Sequence, residues 1–64
     1  MKPQEIKAAL IKNKITQVSI ARDIGVSQPS VNMVIEGRLV SRRIRQAISD
    51  KVRIPFEKVW GKAA

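Results

Sequence analysis

Sixty-four residues and 7.2 kDa leave room for one small domain. Thirteen Lys and Arg against five Asp and Glu leave a net charge of +8, with no Cys, no His and 44% hydrophobic residues. These counts exclude a disulfide framework, a thiolate metal site, an imidazole base and a His metal ligand, and no apolar run approaches the roughly 18 residues that span a bilayer.

The chain starts Met1-Lys2-Pro3-Gln4-Glu5, which turns amphipathic at once and lacks the apolar h-region of a signal peptide. The expectation is a reduced, cytoplasmic, single-domain protein over residues 1–64. Pro3 suits a first helical turn, and Ile6, Ala9 and Leu10 recur at helical spacing, predicting a first helix over about residues 3–12 that Asn13-Lys14 ends. Thr16 is an N-cap for a second helix with Val18, Ile20, Ala21 and Ile24 as apolar positions, and Gly25 fits the left-handed turn that closes it. Ser27 caps a third helix over about residues 28–36. Pro29 is tolerated there because first-turn N–H groups lack intrahelical partners. Val31, Val34 and Ile35 form the apolar stripe of this helix, and Gly37 ends it. Ser41 caps a fourth helix with Ile44, Ala47, Ile48 and Val52 inward, and Pro55 opens a short fifth bearing Phe56, Val59 and Trp60. Ala63-Ala64 should fray. Val and Ile are abundant, which weakens helix propensity. Caps and period outweigh this, and no period-2 run bounded by hairpin turns competes. The fold class is therefore all-α, a compact five-helix domain.

The charge is unevenly placed. Residues 1–15 carry Lys2, Lys7, Lys12 and Lys14 against Glu5, whereas residues 16–35 carry only Arg22 and Asp23. Residues 36–45 then carry Arg38, Arg42, Arg43 and Arg45 against Glu36. A neutral centre between basic flanks suits an element that reads bases while its neighbours hold phosphates.

The segment Gln17 to Glu36 has what two short helices joined by a tight turn require. Ala21 is small where the helices cross, Gly25 tolerates φ > 0, and Ile20, Ile24, Val26, Val31 and Val34 fill the shared core. This is the helix-turn-helix pattern formed by helices 2 and 3, with Ala21, Gly25 and Val31 as its structural positions. With Val31, Val34 and Ile35 inward, a rotation of about 100° per residue turns Pro29, Asn32 and Met33 outward, with Gln28 at the leading tip. Gln28 and Asn32 can each pair in bidentate fashion with adenine, and Pro29 and Met33 offer apolar surface to a thymine methyl. Met33 could instead cover the domain's own edge, and Asn32 could be simply solvated. Arg38, Arg42 and Arg43, and Lys14 before helix 2, are candidate phosphate ligands; the first turn of helix 4 also offers backbone N–H groups. Phe56 and Trp60 either close the core or join a dimer contact.

The stretch, with "VSQPSV" opening its second helix, resembles the helix-turn-helix of the lambda-repressor-like superfamily, the Cro and repressor proteins of temperate phages. The resemblance covers nearly the whole chain, and the ending "IPFEKVWG" is similar to the Ner-like short phage regulators. It implies an operator-binding regulator of transcription, most naturally a phage or prophage repressor. It also implies that Gln17 touches a phosphate and braces Gln28, with Ser27 and Ser30 as further backbone contacts. Many such repressors join helix 1 to the end of the recognition helix by a buried Arg–Glu pair. Leu10 and Ile35 occupy those positions here, so an apolar contact is expected in its place.

Other classes fit less well. Glu5, Asp23, Glu36, Asp50 and Glu57 are scattered and make no inward-facing pair, so no enzyme, cofactor or metal site is expected. A membrane-active helix needs one continuous apolar face, whereas these faces are short and separated by capped turns. An RNA or architectural DNA binder should lack a neutral recognition helix and more often shows exposed aromatics, whereas this chain has only two aromatics in all, Phe56 and Trp60. An antitoxin-type protein that binds a toxin and autoregulates its operon is the main alternative. It needs a toxin-binding surface for which 64 residues leave little chain. The expected partner is double-stranded DNA, as a palindromic operator bound by a homodimer. No membrane and no small-molecule ligand are expected.

Overall fold

Four helix starts are fixed by local polar chemistry. The Lys2 N–H donates to Glu5 Oε1 at 2.7 Å and opens α1 (Pro3–Lys12). The Thr16 hydroxyl accepts from the Ser19 N–H at 3.0 Å and starts α2 (Gln17–Ile24). Ser27 does the same for the Ser30 N–H at 3.3 Å before α3 (Gln28–Ile35), and Ser41 for the Ile44 N–H at 3.3 Å before α4 (Arg42–Val52). The Thr16, Ser27 and Ser41 caps are those the sequence predicts, and the Lys2–Glu5 bond adds a fourth that it does not; each satisfies a donor that a helix start leaves unpaired. A short α5 (Phe56–Trp60) follows Pro55. The computed structural model describes residues 1–61, so the expected fraying of Ala63 and Ala64 lies outside the described residues.

Helix ends follow from backbone geometry. Gly25 sits at φ 70°, ψ 37°, and the Val26 N–H reaches back to the Ala21 carbonyl at 3.0 Å, closing α2 and turning the chain into α3. Lys14 and Arg53 take the same left-handed conformation at the ends of α1 and α4, with φ of 57° and 59°.

Among the described residues the protein is all-helical, and all five helices contribute to one core. Ile6 and Leu10 enter from α1, Ile20 and Ala21 from α2, Val31, Val34 and Ile35 from α3, Ile44, Ile48 and Val52 from α4, and Val59 from α5. The molecule measures 27 × 23 × 17 Å. Helices α2 and α3 pack on each other, and α4 packs against all four other helices. No helix among the described residues is long and apolar enough to cross a membrane.

One expectation about the core needs adjustment. Val18 was expected on the apolar side of α2 but is 51% exposed. Two positions of about 100° rotation set it nearly opposite Ile20, and α2 buries only the stripe through Ile20 and Ala21, with Ile24 packed at its edge. Leu10 and Ile35 are both buried in the core, as the apolar replacement requires. An ion pair nonetheless joins α1 to the end of α3 one turn away, where Lys7 Nζ meets Glu36 Oε1 at 2.6 Å.

Trp60 closes the core at its edge. Its indole N–H donates to the Arg45 carbonyl at 2.9 Å and to Ser49 Oγ at 3.0 Å, while the Arg45 guanidinium lies 5.1 Å from the ring centroid. Ser49, the one buried polar residue among the described ones, is satisfied by donating in turn to the Arg45 carbonyl at 3.0 Å. Phe56 is half-buried under the Arg42 guanidinium, 4.8 Å from its centroid.

Candidate nucleic-acid interface

Residues 25–27 join α2 to α3, so the two helices meet through a three-residue turn. Two of their side chains connect at the open end. Gln28 Nε2 donates to Gln17 Oε1 at 3.1 Å, linking the first residue of α2 to the first residue of α3. That contact uses one of the two N–H bonds of the Gln28 amide and leaves its carbonyl oxygen and second N–H for a further partner. Beside it, Ser27 Oγ and Ser30 Oγ lie 2.7 Å apart, so both hydroxyls are engaged in the opening turn of α3.

The outward face of α3 is graded. Gln28 and Pro29 are exposed, whereas Asn32 and Met33 are half-buried. All four were expected to face outward. The half-burial of the latter two follows from packing of α3 against α1, α2 and α4, which leaves its N-terminal turn the most accessible. Ala21 and Val31 are buried where the two helices cross.

The arginines C-terminal to α3 have definite roles. Arg38 is exposed, and its N–H returns to the Met33 carbonyl at 2.9 Å. Arg42 and Arg43 are exposed in the first turn of α4. Arg42 stacks on Phe56, and Arg43 Nη2 donates to the Ile24 carbonyl at 2.6 Å. Arg43 thus clamps the last residue of α2 just before the Gly25 turn, a link absent from the expectation that it only holds phosphate. Its guanidinium keeps further donors for an anion. Lys14 is exposed between α1 and α2.

Two further features favour an anion, neither of them evident from motif spacing alone. The first turns of α2, α3 and α4 contain no acidic residue, whereas α1 and α5 start with Glu5 and Glu57. The positive ends of the three dipoles therefore carry no competing carboxylate. Only Asp23 and Glu36 are acidic between residues 16 and 45, and lysines from outside that stretch hold both. Lys51 Nζ lies 2.8 Å from Asp23 Oδ2, and its hydrogen bond holds that carboxyl below its ordinary pKa. The Lys7 hydrogen bond does the same for Glu36.

A cleft of about 370 Å³ lined by Pro3, Ile6, Val34, Arg45 and Trp60 lies among other residues, and none of the expected DNA-contacting residues lines it. No group of three His, Cys, Asp or Glu among the described residues could hold a metal ion. Compared with protein-family models, curated proteins and solved structures, the chain has no significant match.

Proposed function

We propose that this protein is a sequence-specific double-stranded DNA-binding regulator of transcription that lays α3 in the major groove. The observation that carries this reading is the Gln17–Gln28 contact, which holds an exposed, half-satisfied amide at the leading tip of α3. A side-chain amide with one donor and one acceptor available matches N6 and N7 of adenine. Pro29 beside it, with Asn32 and Met33 on the same helix, supplies the remaining base-facing surface. Arg38, Arg42 and Arg43 follow α3 in sequence and take the phosphates, assisted by Lys14 and the N-terminal turns of α2 and α4.

The Cro- and repressor-like pattern of residues 17–36 extends the reading to a phage or prophage repressor acting in the cytoplasm. One α3 offers about three or four side chains to base edges, too few to choose one site in a genome. Two copies on an inverted repeat double that number, with half-site centres about 10 bp apart or a multiple of it. Selection of bound duplexes from a random pool tests the reading. A palindromic consensus is expected, and a pool that stays random after repeated selection would refute sequence-specific regulation.

A further inference from the structure

The DNA-binding reading uses Arg38, Arg42 and Arg43 and leaves Arg45 without a task. The Arg45 side chain is half-buried, with its guanidinium 5.1 Å from the Trp60 ring centroid. Its Nε is enclosed and has no acceptor among the described residues, and neither of the two ion pairs there involves it. Folded domains rarely leave a buried donor unpaired, because the lost hydration is not repaid. Arg45 also lines the cleft of about 370 Å³, a volume in the range of small-molecule sites. Around it the cleft is largely apolar. Met1, Pro3 and Trp60 line it while partly exposed, and Ile6 and Val59 line it as buried core residues. The Trp60 N–H is spent on the Arg45 carbonyl and Ser49, so its ring is what remains for a neighbour. Glu36 lines the cleft too, but its carboxylate is neutralised by Lys7 at 2.6 Å.

We propose that this cleft binds a small carboxylate with an apolar body, its carboxylate paired with Arg45 and its body resting on Trp60, Pro3 and Met1. A planar carboxylate accepts two parallel N–H bonds from a guanidinium and so supplies the acceptors that Arg45 lacks. A phosphate fits less well, since its additional oxygens need donors that the apolar walls do not offer. A cation is disfavoured by the unpaired guanidinium itself. The site departs from the expectation of no small-molecule ligand, which took no account of a cleft assembled from α1, α3, α4 and α5. It shares no residue with the proposed DNA face, so it stands or falls independently of that reading.

Trp60 is the single tryptophan of the chain and lines the cleft, so its fluorescence reports occupancy. Titration of the unaltered chain with phenylacetate should give a saturable change in Trp60 emission. Phenylacetamide, which keeps the ring but lacks the charge, and acetate, which keeps the charge but lacks the ring, should each bind about tenfold more weakly or worse. Arg45→Gln should lose about tenfold or more in phenylacetate affinity, whereas Lys58→Gln, an exposed cation on α5 outside the cleft, should lose none. Circular dichroism establishes that each variant is folded, and the three-ligand comparison on the unaltered chain decides the matter if Arg45→Gln is not. No saturable change up to about 10 mM phenylacetate would overturn the proposal. So would equal binding of the amide, equal binding of acetate as an adventitious anion only, or full affinity in a folded Arg45→Gln.

Discussion

Substitution of Gly25 isolates the turn that orients α3. Its backbone lies at φ 70°, and a Cβ built there meets nothing within 4 Å. The cost of a side chain at this position is therefore conformational and not steric. Left-handed backbone costs an L-residue about 1–2 kcal/mol. Replacing glycine also removes freedom from the unfolded chain, which returns about 0.4–1 kcal/mol. Gly25→Ala should therefore destabilise the domain by about 0.8 kcal/mol on balance, the difference between the mid-points of those two ranges. Gly25→Asn should cost least, because Asn tolerates this conformation, and Gly25→Val most, because a β-branched residue fits it worst. For a domain of this size each kcal/mol lowers the melting midpoint by about 4–8 °C. A domain of 64 residues has only about 3–10 kcal/mol of total stability, so the effect is readily seen. Thermal unfolding followed by circular dichroism should rank the midpoints Gly, Asn, Ala, Val from highest to lowest. Equal midpoints for the four residues would refute the left-handed turn.

Other perturbations separate the roles of neighbouring side chains. Arg42→Ala should weaken binding to all duplexes alike and lower the salt slope by about one phosphate's share, while Arg43→Ala should also lower the melting midpoint below that of the unaltered chain because it releases the Ile24 carbonyl; an unchanged midpoint for Arg43→Ala would contradict the clamp. Trp60→Phe leaves the ring but removes the N–H shared by Arg45 and Ser49, and urea unfolding should register a loss of about 1–3 kcal/mol, with no loss contradicting the indole contacts. Glu36 is held below its ordinary pKa by Lys7, so this pair stabilises fully above the unfolded carboxylate value of about 4.3 and is lost as pH falls through the lower folded value. Lys7→Gln should flatten part of the acid limb of a midpoint-versus-pH profile measured between about pH 2 and 6, and an unchanged profile would refute the pairing.

The sequence exposes the features that are decided within a few residues. Thr16, Ser27 and Ser41 cap through N–H groups three positions on, and Gly25 marks its turn by the one residue type that accepts left-handed backbone at no cost. The core stripe of α3 is equally local, because period and burial coincide at Val31, Val34 and Ile35. Links between distant residues are not encoded in spacing. Lys7 meets Glu36 across 29 positions and Arg43 meets Ile24 across 19, and each depends on how α1 or α4 packs against its neighbours. The Gln17–Gln28 contact was anticipated only through resemblance to phage repressors; composition and period do not reveal it. Val18 shows the opposite failure, since an apolar residue in a short amphipathic helix reads as core although the helix turns it to solvent.

The central claim is that the exposed face at the start of α3 reads base pairs, and Gln28 tests it most directly. Parallel selections from one random duplex pool, with the unaltered chain and with Gln28→Ala, compare the consensus each retains. The account predicts a palindrome for the unaltered chain. For Gln28→Ala it predicts the same palindrome with preference relaxed at one base pair in each half-site and a loss of about 1–3 kcal/mol in affinity. An identical consensus from both proteins would contradict it.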